Sequence, residues 1–95
     1  MQLTTEEEDP ISEALQTARE KEEERHRLRR LQLMIAMVQS VLSQDPDLTR
    51  RKASEMISGC REAALAMFPG KELAFDLIYR PRLERTVKER FRDNG

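Results

Sequence analysis

The sequence predicts an all-α protein, a small helical bundle built on one long N-terminal helix. Two observations carry this. No Gly or Pro lies between Pro10 and Pro46, which permits a helix of about 34 residues, roughly 50 Å long at ~1.5 Å per residue. The apolar residues that follow recur at three- and four-residue spacing, the period of one helix face, while strand-type patterns are nearly absent.

The first helix is expected over about residues 10–43. Asp9 supplies an N-cap, Pro10 suits the first helical position, and Glu13 places an acid where the helix dipole favours one. Its two halves differ. Residues 10–27 form a charged, projecting arm, in which Glu23 stands in pairing register with Arg27, and Arg19 with Glu22 and Glu23. Residues 28–43 are apolar on two faces. Leu28, Leu31, Ile35, Val38 and Leu42 repeat at 3,4,3,4 spacing as a coiled-coil-like stripe, and Met34, Met37 and Val41 adjoin it, with Leu33 at the edge.

A second helix is expected over about 49–67. Leu48 precedes Thr49 as an apolar residue before an N-cap, and Ala53 is placed for a weak hydrophobic staple. Ala53, Met56, Ile57, Cys60, Ala64 and Met67 make one apolar face. Beside it lie Gly59, Ala63 and Ala66. Gly inside a helix costs ~1 kcal/mol relative to Ala, so close packing of the 28–43 segment on these small residues is expected as compensation. Pro69-Gly70 ends the helix in a turn.

"KELAFDLIYR" then predicts a short plug helix over about 71–80, apolar except for a strip of Glu72, Asp76 and Arg80. Pro81 is expected to break or kink the chain. A last amphipathic helix follows over about 82–92, with Leu83, Val87 and Phe91 inward and Arg85, Lys88 and Arg92 outward. The organisation is therefore an acidic disordered tail over residues 1–9 and a single domain over 10–95.

Composition narrows the function classes. Residues 1–24 carry nine acids against Arg19 and Lys21, net −7, and residues 25–95 carry a net +6; the chain is a charge dipole. One cysteine excludes an internal disulfide and suits a reducing compartment. The acidic start "MQLTTEEEDP" has no apolar stretch of signal-peptide type. The run from Leu33 to Val38 is far short of the ~20 residues that a membrane span needs. A cytoplasmic protein without membrane partners is expected.

The constellations of catalysis and cofactor binding are missing from this pattern. Gly70-Lys71 is followed by Glu72, which fails the phosphate-loop pattern, and three glycines in all leave no dinucleotide loop. His26, the only histidine, lies in a charge run, and Cys60 centres on an apolar face as a buried small hydrophobe. No enzyme activity and no cofactor is expected.

The expected function is a non-enzymatic interaction or scaffold module that forms a homo-oligomer, preferably a homodimer, through Leu28, Leu31, Met34, Ile35, Met37, Val38, Val41 and Leu42. The ground is the arc of apolar surface on 28–43, too wide for the cover one short chain supplies. Other protein partners fit the same surface. An alternative is a small nucleic-acid-associated regulatory protein using Arg25–Arg30 and Arg50–Lys52 for phosphate contacts; a sequence pI near 5.9 and no interleaved aromatic residue weigh against it. A weaker alternative is an oligomeric metal-binding bundle, since Glu23 and His26 match the Glu-x-x-His element of di-iron bundles.

Overall fold

A computed structural model describes residues 9–92, and among these every regular element is helical. Helix α1 runs Pro10–Gln44, α2 Arg50–Met67, α3 Glu72–Ala74 and α4 Arg80–Arg90, with a π-helical turn over Phe75–Tyr79 joining the last two. The all-α architecture follows the sequence reading. Apart from Asp9, the acidic tail expected over residues 1–9 lies outside the described residues.

The helix ends form where the side chains can satisfy free backbone groups. Asp9 accepts a hydrogen bond from the Ile11 amide at 3.2 Å, with Pro10 in the first turn. Thr49 Oγ1 accepts from the Lys52 amide at 3.1 Å. Such caps contribute about 1 kcal/mol each. Between α1 and α2 the Asp47 amide donates to Asp45 Oδ1 at 2.9 Å and sets the turn. Gly70 takes φ +81°, a left-handed conformation that reverses the chain after α2.

Of the two outcomes expected at Pro81, a break or a kink, the break is not found. Residues 72–90 form one continuous rod, so the separate plug and C-terminal helices are a single third element. The reason lies in the π turn just before the proline. Pro81 has no N–H to donate four residues back, and its ring crowds the carbonyl there. The turn is wider, the Arg80 amide bonding to Phe75 O five residues back, which shifts the backbone register where the ring needs room.

The three rods run up, down and up. The Arg27 guanidinium lies 5.8 Å from the Phe68 ring centroid and ties the end of α2 to the middle of α1. At the other end Arg50 stacks 5.1 Å from the Phe91 ring. Arg90 donates to Leu42 O at 2.9 Å and to Asp45 O, so the tip of α4 caps the free carbonyls at the end of α1. Leu31, Ile35 and Leu42 from α1 pack with Leu48, Ala53, Ile57, Cys60, Ala64, Phe75 and Leu83 in one core.

Two expectations about packing are corrected. An added Cβ at Gly59 would meet no atom of the described residues within 4 Å, and Gly59 and Ala66 are exposed with Ala63 half-buried. The 28–43 segment packs instead on the Ala53–Ala64 face, where Leu31, Ile35 and Leu42 share one core with Ala53, Ile57, Cys60 and Ala64. In the segment expected as the plug, 71–80, only Phe75 is buried, while Leu73 and Leu77 are 70% and 68% exposed. The third rod turns Phe75 and Leu83 into the core and its Leu73–Leu77 side outward, so that side is not enclosed by the described residues.

Leu42 and Leu83 are fully enclosed. Truncating either to Ala is expected to lower the unfolding free energy by ~2–5 kcal/mol, whereas Leu73→Ala should change it by less than about 0.5 kcal/mol. Urea denaturation followed by circular dichroism distinguishes the two groups, and equal effects would contradict this core.

Candidate functional site

Three kinds of surface bear on function: the polar groove between α2 and α4, the charged clusters, and the uncovered side of α1. The groove has a volume of about 350 Å³ and is lined by Arg50, Ser54, Ile57, Ser58, Arg80, Glu84, Val87 and Lys88. It is open, and Glu84 is its one carboxylate. Neither Cys60 nor His26 lines it. Cys60 is buried in the core, and burial pushes its thiol pKa up, away from the reactive thiolate.

Among the described residues one ion pair joins two helices. Arg61 on α2 holds Asp76 in the π turn through two hydrogen bonds, Nε to Oδ1 at 2.8 Å and Nη2 to Oδ2 at 3.1 Å. Arg80 Nε lies 3.6 Å from the same Oδ1. The Arg61 hydrogen bonds hold the Asp76 carboxyl below its ordinary range, against the opposing effect of burial. Both side chains are about one-third exposed. The arrangement is a clasp between α2 and the third rod, and its bidentate geometry fixes the side of the π turn that faces inward.

The Glu-x-x-His element of the weaker alternative does not bring Glu23 and His26 together in the single chain. His26 Nε2 approaches Glu22 Oε1 at 3.6 Å, one turn away, rather than Glu23, and Glu22 also receives Arg25 at 2.9 Å. No group of three or more His, Cys, Asp or Glu among the described residues is placed to hold a metal ion. The expected pairing of Glu23 with Arg27 is also replaced, since Arg27 turns to Phe68.

The two basic clusters lie apart. Arg27 is at the Phe68 end of α2 and Arg50 opens the same helix, a separation of about 26 Å along the axis. Arg25, Arg50 and Arg51 are engaged with Glu22, Phe91 and Glu55 respectively. They form two patches rather than one stripe.

Of the nine exposed large apolar side chains among the described residues, six are on the first helix and three, Leu73, Leu77 and Ile78, on the third rod. Every residue from Pro10 to His26 is exposed, and Ile11 and Leu15 among them are 69% and 57% exposed. In the apolar half, Leu31, Ile35 and Leu42 of the eight expected interface residues lie in this chain's own core, and Met34 and Val38 are half-buried beside it. They support the surface from beneath. Leu28, Met37 and Val41 remain exposed, together with Leu33. Leu33 and Met37, at 62% and 61%, carry the surface. The sequence signal for Leu33 was its position opposite the a/d stripe; that for Ile11 and Leu15 was their four-residue spacing inside a polar stretch.

No helix of the described residues is long and apolar enough to cross a membrane. No protein-family model, no curated protein and no solved structure matches the chain.

Because Asp76 has a lowered pKa in the fold, its ionised form stabilises the protein fully above the ordinary carboxylate range, and the contribution is lost as pH falls through the depressed value. Asp76→Asn should therefore lower the denaturation midpoint near about pH 7 and show a shallower decline towards about pH 2. Parallel acid limbs for the two proteins would show that the clasp contributes nothing.

Proposed function

We propose that this chain is a non-enzymatic interaction module that assembles with itself, as a dimer, through the outer face of the apolar half of α1. The observation that carries the reading is the exposure of Leu33 and Met37 on a helix whose opposite face is already committed to the core. Val41 continues the same row one turn on, at 39% exposure.

Magnitudes favour cover for this row. Fully burying a Leu, Met or Val side chain stabilises by about 1.5–3 kcal/mol, and these three are already about half covered, so six in a dimer supply roughly 5–10 kcal/mol. Association costs about 4–15 kcal/mol in lost freedom. The row alone supports a weak dimer at best, and a stable one requires further contact.

The distinction between core and surface on one helix makes the reading testable. Leu33→Glu with Met37→Glu should convert a dimer to a monomer with little change in melting temperature, because both side chains are exposed. Ile35→Glu should unfold the chain, since burying an unpaired carboxylate in the core is costly. Sedimentation or light scattering at about 0.1 mM reads the first outcome; an unmutated protein that is monomeric at that concentration contradicts the proposal.

A further inference from the structure

We infer that the cover for the outer face of α1 is the arm of a second copy: two first helices pair antiparallel, each arm lying on its partner's apolar half, with Glu22 facing the partner's Arg29. This rests on the self-assembly proposed above and specifies its geometry.

The first argument is a seam that the core does not use. At ~100° per residue, Ile11, Leu15 and Ala18 fall on the same side of α1 as Leu33, Ala36 and Ser40, with Glu22 and Arg29 between them, all within an arc of about 60°; Met37 and Val41 flank that arc, about 40° and 80° beyond Leu33. That side is opposite Leu31 and Leu42. Each of these residues is exposed, so the seam is open along the whole helix. Small and apolar side chains occupy its two ends, with Ser40 the one polar member there, and charges occupy its middle.

Charge sets the direction. Residues 10–24 hold Glu13, Glu20, Glu22, Glu23 and Glu24 against Arg19 and Lys21, net −3; residues 25–44 hold four arginines and no acid, net +4. Antiparallel pairing lays the acidic arm on the basic half twice over, whereas parallel pairing places like charge on like. Lengths agree as well. The arm over 10–27 is about 27 Å long and the half over 28–44 about 26 Å.

One register satisfies the whole seam. Setting Glu22 opposite the partner's Arg29 places Ala18 opposite Leu33, Leu15 opposite Ala36 and Ile11 opposite Ser40, large against small in the apolar layers. Each contact then occurs twice about a two-fold axis, so the assembly closes as a dimer. Glu22 already accepts from Arg25 at 2.9 Å, and a carboxylate has lone pairs for a further donor. The arm, exposed throughout from Pro10 to His26, gains in this way the packing that a helix of its length needs in water.

Charge reversal tests the register. Glu22→Arg and Arg29→Glu should each weaken dimerisation roughly tenfold or more in Kd, and the double variant should recover most of the loss; both sites are exposed, so melting curves serve as the control for folding. A second readout uses Cys60→Ala protein. With Ala18→Cys and Leu33→Cys together, mild oxidation should give a covalent dimer. Ala18→Cys alone should not, because the antiparallel register holds the two sites about 22 Å apart. A dimer indifferent to the charge reversals and without the 18–33 crosslink overturns the antiparallel pairing and leaves self-assembly standing. A monomer overturns both.

Discussion

The constraint behind this structure is a mismatch of helix lengths. Helix α1 has 35 residues, and α2, which packs back along it, has 18. The third rod returns over a similar span, from Glu72 to Arg90. Two short rods can cover one side of half of a long one. The rest of α1 therefore stands free, and its exposed apolar side chains follow from that geometry rather than from any weakness of the core.

Within the body, the same geometry explains where the polar contacts fall. The ends of the rods meet in two planes, and arginines close both. Arg27 reaches Phe68 at one end, while Arg50 and Arg90 reach Phe91 and the last carbonyls of α1 at the other. Long stems let these side chains cover apolar surface while their guanidinium groups meet rings or carbonyls. The arginines that suggest a nucleic-acid surface in the sequence thus include some that close the fold. Arg61 does the same in mid-bundle, fixing the π turn through Asp76.

Much of the fold was legible because local rules and packing agree in it. Asp9-Pro10, Thr49 and Pro69-Gly70 mark the ends of α1 and α2, and the faces through Leu31, Ile35 and Leu42 and through Ala53, Ile57, Cys60 and Ala64 meet as their periods predict. The failures have physical reasons. Pro81 reads as a breaker because proline excludes an ordinary helical bond, but a π turn removes the conflict. Leu73 and Leu77 read as buried because apolar arcs usually are, yet nothing in their spacing says whether cover comes from the same chain. Gly59 reads as a contact point by the same reasoning. The Arg61–Asp76 and Arg90 contacts join residues 15 to 48 apart, and no periodic signal reports pairs at that range. The candidate surface was legible in part: Met37 and Val41 were among its expected members, but periodicity alone could not separate them from Leu31, Ile35 and Leu42, which the core takes.

The central claim is that the outer side of α1 is unsatisfied in a single chain and is covered when chains meet. Hydrogen exchange of the α1 amides, followed as a function of protein concentration, tests it most directly. The account predicts that amides of residues 14–26 exchange fast when the protein is dilute and gain protection as concentration rises, in step with the shift to dimer, while those of Leu31 to Leu42 stay protected throughout. Arm amides that exchange at the same rate at every concentration would contradict it.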